Sequence, residues 1–124
     1  MLGDSRVAAT IPILDLVRAR SFYQNVLGLS IREESPFGIL FDAGQGTSLF
    51  IFPRGDTERD HTLAAFEVAD LEATMRGLQE QGVAFDDVDI PGVQQGGKVA
   101  ELGPVRSAWF RDSEGNVLSI TQRT

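Results

Sequence analysis

The reactive side chains of this chain are few, and their types restrict the chemistry that it can perform. Cysteine is absent, the only histidine is His61 and the only lysine is Lys98. The lack of cysteine excludes disulfides, thiolate metal ligands and a cysteine nucleophile. Neither the complete phosphate-loop motif, in which Gly-Lys is followed by Ser or Thr, nor a Gly-x-Ser-x-Gly motif occurs. The sequence therefore predicts neither phosphate-loop nor serine-hydrolase chemistry.

The carboxylates offer two candidate clusters and one candidate site residue. The pair Glu33 and Glu34 and the group at positions 86, 87 and 89 do not have the spacing of a calcium loop, so we interpret both as solvated charge. Glu67 shares a strand face with His61, and it either contacts a ligand or is solvated at the strand end. His61 is expected to be an exposed residue at the start of that strand.

Two similar runs of predicted elements position these side chains. In each run Asp caps a helix that ends at Gly, namely Asp15 with Gly28 and Asp70 with Gly82. In the first helix, apolar residues recur at three- and four-residue spacing up to Leu27, which predicts one amphipathic helix. Alternation and turn residues predict strands at 6–13, 29–34, 38–43 and 47–52 in the first run, and at 61–68, 83–88, 107–111 and 117–121 in the second.

The two helix starts are separated by 70 − 15 = 55 residues, and each opens the same order of elements. This repeat predicts an α+β fold of two β-α-β-β-β modules, the first at about 5–54 and the second at about 60–123 of a single domain, 1–124. The alternative is an ordinary α+β domain in which the similarity arose by chance. The glycine-rich stretch 89–104 is either a binding loop or a plain connector.

Composition restricts the partners and the compartment. The hydrophobic fraction of 42% is typical of a globular protein, and the net charge of −7 disfavours nucleic acid. No apolar run approaches the roughly 20 residues that a membrane span needs. The first ten residues lack the features of a secretory signal, so a cytoplasmic location is expected.

Three segments resemble the vicinal-oxygen-chelate (glyoxalase and bleomycin-resistance) superfamily. IPILDLVRARSFYQNVLGL is similar to its first-module signature, FEVADLEATMRGLQEQGVAF to its second-module helix and WFRDSEGNVLSI to its closing hairpin, with Ser113 where proline is usual. The resemblance implies that the two modules curl into a mixed-sheet cup with helices outside, and that the protein forms a homodimer.

The resemblance also implies where a metal would bind, because metal-binding members place one His, Gln or Glu ligand on the first and last strand of each module. The corresponding positions here are Ala8, Phe50, Leu63 and Ser119. Three of these side chains have no donor atom and a neutral serine hydroxyl is a poor donor. We therefore expect the metal site to be lost, with no metal and no cofactor bound.

Alternation along the strands predicts which side chains line the cup. Apolar and aromatic groups with a few hydroxyls face inward, a composition typical of small-molecule sites. Trp109 belongs either to the core or to this face, and Arg111 would accompany it to pair with an anionic group. The predicted ligand-binding residues are Phe50, Phe52, Leu63, Glu67, Trp109, Arg111 and Ser119.

Two functional hypotheses follow from these expectations. The first is a non-catalytic protein that binds a small planar, hydrophobic or cationic molecule, as antibiotic-sequestering members of the superfamily do. The second is a metal-independent lyase or isomerase in which Glu67 or His61 carries a proton. A metal-dependent glyoxalase or dioxygenase is a more distant third, and no catalytic residue is assigned.

Overall fold

The computed structural model describes residues 1–88 and 97–123. The chain divides into two compact units, Met1–Glu58 and Arg59–Thr124, which we call the first and second unit and describe one at a time. No helix in the described part of the chain is long and apolar enough to cross a membrane.

The first unit contains one helix and a four-stranded mixed sheet in the order β1-β4-β3-β2. The first and last strands, β1 and β4, are parallel, whereas the other neighbours are antiparallel. Its elements are β1 (Ala8–Ile13), α1 (Leu16–Ser21), a π-helical turn (Phe22–Val26), β2 (Ser30–Ser35), β3 (Gly38–Asp42), a short 3-10 turn (Gly44–Gly46) and β4 (Ser48–Pro53).

Helix α1 begins as the sequence predicts but does not continue as one α-helix. The Asp15 side chain accepts a hydrogen bond from the Arg18 backbone amide at 3.1 Å, which caps the first turn. After Ser21 the chain forms the wider π turn, closed by the Leu27 amide donating to the Phe22 carbonyl at 3.0 Å. The wider turn accommodates two adjacent aromatic residues, because Tyr23 is fully buried while Phe22 packs edge-on against it.

One face of this sheet packs under the helix and forms the core of the first unit. The Tyr23 ring lies 5.8 Å from that of Phe41, between ring centroids. Alternate residues of β1, β3 and β4 lie on the same side and are at most 2% exposed: Ile11, Ile13, Ile39, Phe41, Leu49 and Ile51. The intervening residues therefore lie on the opposite face of the sheet.

The second unit repeats this arrangement, with the strand order β5-β8-β7-β6 and a parallel pair formed by its first and last strands. Its elements are β5 (Thr62–Glu67), α2 (Leu71–Glu80), β6 (Ala100–Leu102), β7 (Val105–Arg111) and β8 (Val117–Arg123). The α+β class and the two β-α-β-β-β modules predicted from the sequence are thereby confirmed.

Helix α2 is fixed at its start and along its buried side. Asp70 caps it by accepting from the Ala73 amide at 3.0 Å, and the Gln122 side chain of β8 accepts from the Leu71 amide at 2.7 Å. The helix ends before Gly82, whose φ of 92° lies in the left-handed region that glycine tolerates. Buried residues of the helix and sheet form the core on this side: Leu71, Met75, Ala108, Phe110, Leu118 and Ile120.

The predicted strand at 83–88 is wrong, because this segment supplies core side chains without joining a ladder. Phe85 forms one isolated bridge to Phe110, and its ring lies 5.6 Å from that of Phe110. The second strand of this module, the first after α2, is instead β6, which pairs with the first half of β7. Of the irregular stretch 89–104, residues 89–96 lie outside the described residues.

The turn between β7 and β8 is held by the Asp112 carboxylate. One carboxylate oxygen accepts from the backbone amides of Glu114 at 2.9 Å and Asn116 at 2.8 Å, and the other accepts from the Asn116 side chain at 2.9 Å. Asp112 is 6% exposed and Asn116 is 1% exposed, so these bonds are shielded from water. Gly115 has a φ of 85°, which completes the tight turn.

Replacing Asp112 should destabilise the protein because three donors would lose their acceptor. We expect Asp112→Ala to lower the free energy of unfolding by about 2–4 kcal/mol, the cost of leaving shielded amides unpaired. Urea unfolding measures the change. Asp4→Ala, at an exposed residue near the N-terminus, is the control and should change stability by less than about 0.5 kcal/mol. Equal stability of the two variants would contradict the role of the Asp112 carboxylate.

The ion pair between α2 and β7 should make stability depend on pH. The hydrogen bond from Arg106 holds the pKa of Glu72 below its ordinary value of 4.5, and the charge of Arg106 acts in the same direction. A lowered folded-state pKa stabilises the fold above that ordinary value, and the contribution is lost as pH falls through the lower value. Glu72→Gln should therefore lower the Tm at neutral pH, and the difference from the parent should shrink on acidification.

Thermal unfolding between pH 7 and pH 3 checks this expectation. Glu80→Gln serves as the control, because Glu80 lies on the same helix, is exposed and forms no ion pair with the described residues. A Tm difference for Glu72→Gln that does not change with pH would contradict it.

Candidate functional site

The first unit presents an aromatic surface on the side of its sheet opposite α1, which we call the Phe50 face. Phe50 lies between Thr10 of β1 and Leu40 of β3 in the register of the sheet, so these three side chains form one row. Phe52 lies two residues further along β4, beside Pro12. Phe50 and Phe52 thus lie on the face that the sequence predicts for them.

The two phenylalanine rings of this face are nearly parallel. Their centroids are 6.2 Å apart and their planes differ by 13°. A Cβ atom at Gly38 would lie 2.5 Å from the Phe50 ring and 2.4 Å from the Ile51 carbonyl oxygen, so the ring occupies space that only glycine leaves free. One planar ligand between the rings would need about 3.5 Å to each of them, more than their 6.2 Å centroid separation allows, so a ligand would stack on the pair rather than enter between the rings.

A charged pair borders the Phe50 face, and the sequence analysis missed it. Asp42 lies opposite Ser48, whose other neighbour is Ala8. The Arg32 side chain donates from Nε to the Asp42 carboxylate at 2.6 Å. No sequence signal indicates this pair. Its two members are ten residues apart, and a register shift in β2 at Arg32 breaks the alternation that would have placed them on one face.

The second unit presents a different surface opposite α2, which we call the Trp109 face. Trp109 lies opposite Ser119, and Ser119 lies opposite Ala65. The next row contains Glu67 and Thr121. The register places Glu67 and Ser119 on one face, as predicted, and it resolves the two alternatives for Trp109 by placing it on that face as well. Leu63 falls at a register shift between Thr62 and Ala64 and has no partner on β8, so the simple alternation that placed it in line with Ala65 is wrong there.

Trp109 is held across its own sheet. Its indole nitrogen donates to the Thr62 hydroxyl oxygen at 3.0 Å. Since β8 lies between β7 and β5, the indole must cross β8 to make this bond. Trp109 remains half-buried, whereas its neighbour Ser119 is 4% exposed. The indole therefore forms a fixed aromatic surface over the sheet.

A pair of hydroxyls lies beside the indole on the same face. The oxygen atoms of Ser107 and Thr121 are 2.9 Å apart, which is a hydrogen bond. Ser107 is 5% exposed while Thr121 is half-buried. The Trp109 face thus combines one aromatic ring with several hydroxyl groups.

Arg111 lies on this side of β7 but already has several partners. Its Nε donates to the Asp86 carboxylate at 3.2 Å, and one terminal nitrogen donates to the carbonyls of Arg59 and Gly115, both at 3.1 Å. These bonds tie the start of the second unit and the segment after α2 to the β7–β8 turn. The arrangement favours a structural role for Arg111, and its contact with an anionic ligand stays a prediction.

The candidate proton carriers are exposed. The Glu67 side chain is 65% exposed and pairs with Arg123 at 3.2 Å. His61 precedes β5, is 71% exposed in its side chain and contacts Asp60 at 3.0 Å, whose pKa it lowers by that hydrogen bond. In the two carboxylate clusters, Glu33, Glu34 and Asp87 are exposed, Glu34 pairs with Arg20 and Asp87 with Lys98, and position 89 lies outside the described residues.

The side chains at the expected metal positions do not fit a metal ion. In the observed register Ala8 lies opposite Ser48, not Phe50, and Ser119 lies opposite Ala65, not Leu63. Neither the expected residues nor these neighbours supply an imidazole, thiolate or carboxylate. Within residues 1–88 and 97–123, no group of three or more His, Cys, Asp or Glu side chains could hold a metal ion.

Comparison with solved structures returns several proteins of similar fold. TnmS3, an antibiotic binding protein from Streptomyces sp. CB03234, matches with a TM-score of 0.77 and 23% identity over 100% of this chain and 99% of its own. A glyoxalase/bleomycin resistance protein from the same source matches with a TM-score of 0.67 and 24% identity over 97% and 100%. Lactoylglutathione lyase from Agrobacterium tumefaciens matches with a TM-score of 0.70 and 16% identity over 98% and 96%.

These identities are low, so the structural matches show the fold alone. None of the curated protein sequences matches the chain significantly. The family model described as Glyoxalase/Bleomycin resistance protein/Dioxygenase superfamily matches residues 7–120, which is nearly the whole chain. This chain therefore belongs to the glyoxalase/bleomycin resistance protein/dioxygenase superfamily.

Proposed function

We propose that the protein binds a small planar or hydrophobic molecule, cationic ones included, and does so without a metal ion. The observation that carries this proposal is the chemistry of the two sheet faces that lie opposite the helices. Where metal-binding members of the superfamily have ligands, this chain has Ala8, Phe50, Leu63 and Ser119. The same faces supply aromatic rings and hydroxyls, which suit stacking and hydrogen bonding to an organic ligand.

The aromatic groups support stacking as the main source of affinity. Trp109 is immobilised by its bond to Thr62, so little conformational freedom would be lost when a ligand stacks on it. Phe50 and Phe52 offer a second aromatic surface of fixed geometry. The net charge of −7 would weakly favour cationic members of the ligand class.

The similarity to the antibiotic binding protein TnmS3 supports sequestration as the kind of activity, and the similarity to a lactoylglutathione lyase supports a lyase. A metal-independent lyase or isomerase would need a proton carrier shielded from water. Glu67 and His61 are mostly exposed in their side chains. Their surroundings favour binding over catalysis.

The proposal includes a homodimer in the cytoplasm, as the resemblance and the sequence predict. Analytical ultracentrifugation tests the dimer, and a monomer at micromolar concentration would contradict that part.

Because Trp109 is the only tryptophan, its fluorescence reports directly on this face. We expect planar compounds such as fluorene and the cationic aminoacridine to quench or shift its emission saturably. Trp109→Leu, followed by calorimetry, should weaken binding roughly 2- to 12-fold, since an aromatic stack contributes about 0.5–1.5 kcal/mol beyond its buried area.

Phe37→Leu is the matched control, because it also removes an aromatic ring. Phe37 is 81% exposed in the turn between β2 and β3. The control should bind these compounds as the parent does. The proposal fails if no planar compound alters the Trp109 emission, or if Trp109→Leu and Phe37→Leu have the same effect on affinity.

A further inference from the structure

The direction of the Trp109–Thr62 hydrogen bond determines what Thr62 can offer to a ligand. An indole nitrogen can only donate, so the Thr62 oxygen must accept. The hydroxyl hydrogen of Thr62 is then available for another acceptor. Thr62 is exposed, and no acceptor for this hydrogen is found among residues 1–88 and 97–123. Thr62 therefore presents a hydrogen-bond donor beside the edge of the indole.

The same argument applies to the pair Ser107 and Thr121. Ser107 is 5% exposed, and Thr121 is the partner that the described part of the chain provides for its hydroxyl. If Ser107 accepted instead, its own shielded hydroxyl hydrogen would have no acceptor among the described residues, so we assign Ser107 as the donor and Thr121 as the acceptor. The hydroxyl hydrogen of the half-buried Thr121 is then directed away from Ser107. A second donor therefore lies on the other side of the indole.

The charges on this face neutralise one another. Glu67 pairs with Arg123 at 3.2 Å, and Arg111 pairs with Asp86 at 3.2 Å. A charged ligand would have to displace one of these partners, whereas an uncharged ligand leaves them in place. The overall charge of −7 acts through solvent and is screened within about 8–10 Å, so the local pairs decide which ligand fits.

We propose that the Trp109 face selects uncharged planar molecules that carry carbonyl or ether oxygens. The ring system stacks on the indole, and its oxygen atoms accept from Thr62, from Thr121 or from both. This inference rests on the function proposed above and narrows its ligand class. Thr62 lies opposite Val117, four residues before Thr121 on β8, so the two donors are separated by about 13 Å along the strand. A rigid planar molecule that reaches both donors must therefore contain several fused rings.

The test uses two probes that differ by one carbonyl, fluorenone and fluorene, together with the cationic aminoacridine. The dissociation constant of each is measured by titration of Trp109 fluorescence for the parent and for Thr62→Val, Thr62→Ser and Thr74→Val. Thr62→Val removes the donor with little change in shape, and Thr62→Ser retains it. Thr74→Val is the matched control, because it removes a hydroxyl that bonds the Asp70 carbonyl at 2.8 Å on α2.

The readout is the affinity of fluorenone relative to that of fluorene. We expect this ratio to fall about fivefold in Thr62→Val, which corresponds to one ordinary hydrogen bond, and to keep its value in Thr62→Ser and Thr74→Val. A loss of affinity for both probes by the same factor would make Thr62 a positioning residue for the indole and would overturn the inference. Should Thr62→Val fail to fold, Thr62→Ala repeats the measurement.

Two further outcomes separate this inference from the proposed function. Tighter binding of aminoacridine than of fluorenone by the parent protein would overturn the inference while leaving planar-ligand binding intact. If Thr62→Val leaves the ratio of fluorenone affinity to fluorene affinity unchanged, the inference is likewise overturned while planar-ligand binding stands. If none of the three probes alters the emission of Trp109, both the inference and the proposed function fail.

Discussion

The parallel pairing of the first and last strands in each unit determines which side chains meet on its sheet. In the first unit this pairing places Thr10 beside Phe50, and in the second it places Ala65 beside Ser119. Because side chains alternate along a strand, the same register sends Ile11 and Ile51 under the helix. The same strand register therefore determines both the core residues and the candidate site residues. A change of register would move both sets of side chains together.

This constraint determines which side chains lie on the Phe50 face and on the Trp109 face. At the strand positions that the resemblance assigns to metal ligands, the described residues include no histidine, cysteine or carboxylate. The space on the second sheet is covered instead by the indole of Trp109, which crosses β8 to reach Thr62. Under the function proposed above, these rings and hydroxyls stack on and hydrogen-bond to an organic ligand in place of a metal ion.

Local signals in the sequence predict most of the fold. The capping residues Asp15 and Asp70 and the glycine that ends each helix act through nearby backbone, so their patterns are readable. The register shift at Leu63, the single bridge of Phe85 and the bond between Trp109 and Thr62 were not readable. Each depends on which strand lies beside which, and tertiary packing decides that. The candidate site was therefore predicted by face and residue type, but not in its hydrogen bonds.

Metal stoichiometry tests the central claim most directly. The purified protein would be incubated with zinc, nickel, iron or manganese, freed of unbound ion by gel filtration and analysed for its elemental content. The account predicts far less than one metal ion per chain in every case, because the strand positions that the resemblance assigns to metal ligands carry no suitable donors. One tightly held ion per chain would contradict it.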